Sequence, residues 1–507
     1  MENRKPTSHL ANTSPPDGRG GVLSSAKLSP RLLSAVSLTG IGSVLTMAAS
    51  SLAGIAVARN GGPSGYGVFV AANMLVFVPA VLSSFGLPLA LAKHAASEEE
   101  LGRHEALKHV LTSALICLLF VTLLAGIAIA LNLPRLQEHL NVSIGRGFAL
   151  AFPCVILSAV ISDFTQGIYI GLLRLRAAIA ITVSGPLLVI LYSFLRSSGA
   201  TLPIWGSVAL LYLTSGTVAA CYLIRDRLLG PPAGLGEMKP LVKDLLPAAA
   251  FTFFTIFSSW SDRWIVGTQL GEVAIGSYAA AVVVIQAALR VPKHIAYLLV
   301  PAAARMAIKG AEQGLNNAAI GLFGLFASLI TVILMLASSS IISLLFGPGF
   351  LPAGPVLLVM APSLLASAVS IPFVSVLTGS TKNRFVTYLL ALTILPRILL
   401  LLFFTKWWGL QGTALATVTS EGTFTLFCVL LGRTIGMTVP LSILSRPLLL
   451  GLLAYAIGLA ALFMRAPAFV AAALAILIFA RQIWKSIRAA YSGNVIFETV
   501  PNRLDGL

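Results

Sequence analysis

Stretches of about twenty apolar residues recur some fourteen times along this chain, separated by short polar breaks, and they leave it few folds to adopt. In hydrocarbon every backbone N–H and C=O must find its partner within the protein, so segments of this length span a bilayer as helices. The approximate spans are 34–58, 66–92, 110–132, 147–171, 177–195, 203–224, 246–268, 277–303, 317–346, 354–379, 385–405, 410–432, 447–464 and 467–484. The expected class is all-α: a polytopic membrane protein of about fourteen transmembrane helices.

Composition excludes the soluble alternatives. Hydrophobic residues make up 57% and charged residues only 10%, whereas soluble domains carry about 25% charge. The net charge of +17 does not point to nucleic acid, because the basic residues sit in short clusters between apolar spans. Sorted with the N-terminus inside, the inner loops hold roughly four times as many Lys and Arg as the outer ones, as the positive-inside rule requires. Both termini are therefore expected in the cytoplasm, with the chain in the cytoplasmic membrane. Cys117, Cys154, Cys221 and Cys428 lie within spans at spacings that suit neither a metal nor a disulfide framework.

Residues 1–30, rich in Ser, Pro, Gly and Asn, read as a disordered tail. The longest polar break, which contains Gly230, Pro231, Pro232, Gly234 and Gly236, divides a lobe of six helices (31–228) from a second (246–432) through a linker at 229–245. Residues 433–507 add two helices and a short tail. Gly65 and Tyr66 recur as Gly276 and Tyr278, and Pro88 with Lys93 recurs as Pro301 with Arg305, so the lobes read as parallel repeats of the kind that alternating-access transporters use.

The seventh and eighth spans carry Asp262, Arg263, Arg290 and Lys293. Charge at membrane depth costs about 2.5 kcal/mol or more and normally faces protein or a wet cavity. Gln286, Arg290, Lys293 and Tyr297 share one helical face; Thr255, Ser258, Ser259 and Asp262 form a polar stripe on the preceding helix. Two readings stand: a solvated cavity that holds an anionic cargo, or an ion pair that locks two helices. Pro292 is expected to bend or break its helix at the charged site. Asp163 reads either as a proton or sodium site or as the partner of a neighbouring cation. Arg397 and Glu421 lie about equally far from the turn at Lys406–Leu410, which favours an ion pair between adjacent antiparallel helices, with coupling to an ion as the other reading. There is no GxxxxGK[ST] phosphate loop, no metal-ligand spacing and no catalytic constellation, so an enzyme or a resident cofactor is not expected.

The segment ARNGGPSGYGVF (Ala58–Phe69) resembles the Arg-x-x-Gly-Pro-x-x-Tyr-Gly signature of Wzx-type polysaccharide flippases, within the multidrug/oligosaccharidyl-lipid/polysaccharide exporter superfamily. Arg59, Gly62, Pro63, Tyr66 and Gly67 match, while Asn60 and Gly61 depart from the usual apolar pair. Asp262, Arg263, Gly267, Leu270, Gly271, Gly276 and Tyr278 resemble the family's seventh-helix pattern; LLFG (Leu344–Gly347) and WGLQGTALA (Trp408–Ala416) match further on. The resemblance implies two six-helix lobes plus two helices. It also implies flipping of a polyprenyl-diphosphate-linked oligosaccharide for surface polysaccharide, alongside a polymerase and glycosyltransferases. Arg290, Lys293, Gln286, Arg263 and Arg59 are then the expected substrate contacts, with H+ or Na+ coupling at Asp163 or Glu421. A cation-coupled multidrug exporter, a lipid II flippase and a non-transporting scaffold are the alternatives.

Overall fold

The computed structural model describes residues 30–197, 203–307, 312–380 and 384–439, and these are helical nearly throughout. The helices are α1 (Pro30–Ser83), α2 (Leu87–Glu100), α3 (His104–His139), α4 (Arg146–Gly171), α5 (Leu175–Ser197), α6 (Trp205–Arg225), α7 (Leu235–Leu270), α8 (Glu272–Ala307), α9 (Glu312–Phe346), α10 (Ala353–Met360), α11 (Ser363–Gly379) and α12 (Arg384–Gly432). Nine of them are long and apolar enough to cross a membrane, and α10 with α11, bent by 48°, make a tenth. Two of the nine are hairpins. The α1 segment folds back at Gly62, which sets the Tyr66 hydroxyl beside Gly54; α12 folds back at Gly409, which brings the Thr405 and Thr413 hydroxyls to 2.9 Å. Each hairpin crosses twice, so the described residues account for the first twelve expected spans. The spans at 447–464 and 467–484 lie outside the described residues, as does the tail before Pro30.

The turns from Gly62, Gly145, Gly271, Gly347 and Gly409 share a positive φ and gather at one end of the bundle. At Gly62 (φ 62°, ψ −172°) and Gly271 (φ 80°, ψ −172°) the backbone occupies a region closed to residues with a Cβ, so glycine is required at both. These two glycines also set the register of the repeat. Gly62 corresponds to Gly271 and Gly67 to Gly276, two residues away from the register that Gly65 and Gly276 suggest in the sequence. A Cβ on Gly67 would overlap the carbonyl of Glu272, and one on Gly276 would overlap that of Pro63. The two lobes thus meet backbone to backbone, reciprocally, as small residues allow where helices cross in a membrane.

Helices pack chiefly within two groups, α1 to α6 and α7 to α12, and the broadest contact between groups is α1 against α8. The expected bend at Pro292 does not interrupt the helix, since α8 is continuous from Glu272 to Ala307. Breaks occur instead at Phe85–Gly86, just ahead of Pro88, and at Ala361–Pro362. Helix α7 begins at Leu235, so the connection between lobes is shorter than the expected linker.

At the opposite end, the linker end, α4 and α6 each stop in a Schellman-type cap. Arg174 N donates to Tyr169 O at 2.9 Å and Leu228 N to Leu223 O at 3.2 Å. The left-handed position holds Leu173 (φ 54°) and Arg227 (φ 48°) rather than glycine, at a cost of about 1–2 kcal/mol each. Asp226 ties the two caps together: its Oδ2 accepts from Tyr169 Oη at 2.8 Å and Arg174 Nη1 at 3.2 Å, and its Oδ1 accepts from Arg225 Nε at 2.8 Å. Hydrogen bonding from Arg225, ahead of that from Tyr169, holds the Asp226 carboxyl below the usual Asp range. A lowered folded pKa contributes stability above the unfolded value of about 3.9, and the contribution fades as pH falls through the folded value. Asp226→Asn should therefore cost about 1 kcal/mol at neutral pH, with the gap from wild type narrowing in melting curves as pH falls below the ordinary Asp range.

Candidate functional site

The charged residues at membrane depth in α7, α8 and α12 form one neighbourhood. Asp262, only 4% exposed, lies on α7 nine residues before the Gly271 turn, which puts Tyr278 of α8 within reach. Tyr278 Oη donates to Asp262 Oδ2 at 2.9 Å and lies 3.0 Å from Thr417 Oγ1 on α12, so three helices share one buried polar node. The other carboxylate oxygen accepts from Arg263 N at 2.7 Å and stands 3.2 Å from Arg263 Nη1. Asp262 thus neutralises its chain neighbour Arg263. The Arg263 guanidinium also donates to Ser259 O and stacks on Trp260, whose ring meets Phe77 of α1 across the seam between the lobes. Thr255 and Ser259, exposed on α7, return their hydroxyls to carbonyls one turn back.

Nearer the linker end, Gln286 is exposed and Arg290 and Lys293 are half-buried on α8. Lys293 Nζ lies 3.4 Å from Gln286 Oε1 and within electrostatic reach of both Arg290 and Glu421. Arg397 Nη1 stands 3.3 Å from Glu421 Oε1, where equal distance from the Gly409 turn places the two side chains. Arg397 is buried, and its Nε meets no acceptor among the described residues. A small cavity beside Pro292, walled by Leu289, Phe323, Ile330, Leu364 and Ile371, is apolar and plays no part in this charged group.

Two expected residues stand apart. Arg59 sits at the glycine-turn end, where its Nε donates to Leu345 O at 2.8 Å and its Nη2 to Leu344 O. It caps the negative end of α9 from the other lobe. Ser64 Oγ donates to Glu272 Oε1 at 2.5 Å, and the Tyr66 ring packs on Phe346 and Phe350, so the lobes are sealed there. Asp163 lies in the first lobe near Tyr212, whose hydroxyl donates to Asn73 Oδ1 at 2.8 Å. Among the described residues Asp163 has no ion pair, so the cation-partner reading finds no support. Sequence reasoning did not find Thr417 as the second partner of Tyr278; its one signal is its place four residues before Glu421 on the same helix.

Two six-helix groups that meet chiefly through α1 and α8, with a charged cluster at membrane depth in the second, define a multi-pass membrane protein. The solved structures agree. The chain is similar to the lipid II flippase MurJ in an inward closed conformation (TM-score 0.71, 14% identity, 90% of this chain and 99% of that one). It is also similar to an inward-facing multidrug resistance MATE family transporter of the MOP superfamily (TM-score 0.65, 16% identity, 78% and 97%). A MOP superfamily transporter from Pyrococcus furiosus, described as having a binding pocket of reverse polarity, matches at a TM-score of 0.55 (16% identity, 79% and 95%). At such identities the likeness establishes the fold. No curated protein sequence matches. Residues 56–355 match the model of the polysaccharide biosynthesis protein family, and the chain belongs to that family.

Proposed function

We propose that the chain is a flippase that carries a polyprenyl-diphosphate-linked oligosaccharide across the cytoplasmic membrane by alternating access, for surface polysaccharide. The observation that carries this reading is the charge count at membrane depth in the second lobe: Arg263, Arg290, Lys293 and Arg397 against Asp262 and Glu421. Among the described residues at that depth, two carboxylates stand against four cations by formal charge. An anion with about two charges, such as a lipid diphosphate, would restore neutrality where charge is costly. Arg290 and Lys293 are the contacts proposed for the diphosphate, with Gln286 beside them. Arg263 and Arg397 rest on their carboxylates, and the unmet Nε of Arg397 adds a donor. Arg59 takes a different part, holding the glycine-turn end closed until cargo is released. The glycan needs only a wet polar path, and the prenyl tail stays in lipid. Family membership supports the polysaccharide context; a polymerase and glycosyltransferases would supply and consume the cargo. No covalent chemistry and no cofactor enter this account.

The rival reading, a cation-coupled multidrug exporter, shares the fold, but a cationic drug is repelled by the same charge excess. Asp163, in no ion pair among the described residues, is the proposed coupling carboxylate for H+ or Na+. Proteoliposomes loaded with a fluorescent polyprenyl-diphosphate sugar decide among these. Inward-to-outward transfer that a proton or sodium gradient accelerates, and that Asp163→Asn uncouples, is expected. Transfer of a cationic dye instead of the lipid would overturn the reading.

A further inference from the structure

The joined caps of α4 and α6 display a surface for which folding alone gives no reason. Leu173 and Arg227 both occupy left-handed backbone positions that glycine would fill with less strain, and both side chains point outward; Leu173 is 68% exposed. Around them Arg174, Arg176 and Arg225 are exposed, and Ile224 is 72% exposed. Asp226 accepts from Arg174 and Arg225, which holds two guanidinium groups at one carboxylate, while Tyr222 stacks beneath Arg225. Four arginines against one aspartate leave the patch strongly cationic, and an exposed apolar side chain, Leu173 or Ile224, precedes the arginines at each turn. The patch lies where two membrane-spanning helices end, at the level of lipid headgroups.

We infer that this surface binds the headgroup of an anionic phospholipid, with Arg174, Arg225 and Arg227 on the phosphate and Leu173 and Ile224 against the acyl chains. Charge selects an anion, and the apolar residues at the boundary select a lipid rather than a soluble phosphate or an acidic protein. The retained strain follows: glycine at either position would relax the backbone and remove a contact with the lipid.

The test uses the full chain purified in a neutral detergent, with phosphatidylglycerol as the probe. Phosphatidylglycerol should raise the melting temperature and phosphatidylcholine should not. Arg225→Gln and Arg227→Gln should each weaken the phosphatidylglycerol effect about fivefold. Leu173→Gly and Arg227→Gly should be at least as stable as wild type without lipid, which separates loss of binding from loss of folding, yet respond to phosphatidylglycerol severalfold less. Glycine variants that keep the full response would overturn the inference, as would equal responses to the two lipids. Complete competition by inorganic phosphate would replace the lipid with a free anion and overturn it too.

Discussion

Replacing Gly276 by valine should hold the two lobes apart at the glycine-turn end and abolish surface polysaccharide while each lobe still folds. The Cβ at this position would overlap the Pro63 carbonyl, and the reciprocal Gly67 sits over the Glu272 carbonyl, so neither helix has a flexible side chain that can yield. Overpacking of this kind costs about 1–3 kcal/mol, and here the cost falls on the closed arrangement alone. A bias of that size moves the equilibrium against closure by roughly five- to a hundred-and-fiftyfold. Ser64, tied to Glu272 in the closed arrangement, reports the change. With Cys117, Cys154, Cys221 and Cys428 replaced by serine, Ser64→Cys should resist a membrane-impermeant thiol reagent alone and react with it when combined with Gly276→Val. Continued protection in the double variant would mean that the crossing is no gate.

Arg290→Ala and Lys293→Ala should each abolish surface polysaccharide in cells that lack the native gene, with the protein still in the membrane. Each removes one counter-charge from a diphosphate at a depth where an unmatched charge costs about 2.5 kcal/mol or more, a loss of roughly fiftyfold in transfer. Arg290→Lys keeps the charge but loses the planar fork, so partial activity is expected. The half-buried setting of both side chains argues against unfolding as the cause, and membrane abundance on immunoblots checks it. Normal polymer in both alanine variants would remove the cargo-binding role of this face.

The spans were legible because hydrocarbon allows only internally bonded backbone, and apolar length therefore translates directly into helices. The Arg397–Glu421 pair was legible for a similar reason: two helices that leave one tight turn are antiparallel, so equal distance from Gly409 means equal depth. Asp262 was visible as a costly buried charge, yet its hydrogen bond from Tyr278, whose hydroxyl also meets Thr417, depends on how three helices rotate against one another. Hydropathy does not encode that rotation.

From its sequence alone this chain was bound to be an all-helical, multi-pass membrane protein with an excess of cations inside, since solvation penalties act on each segment separately. Only the tertiary structure decided that Arg59 closes one end on α9 across 286 residues of chain, that Gly67 and Gly276 bring the lobes into backbone contact, and that Asp262 is spent on Arg263. Those outcomes follow from the register and rotation of packed helices. Such packing is set by contacts among distant residues and leaves no periodic trace in any one span.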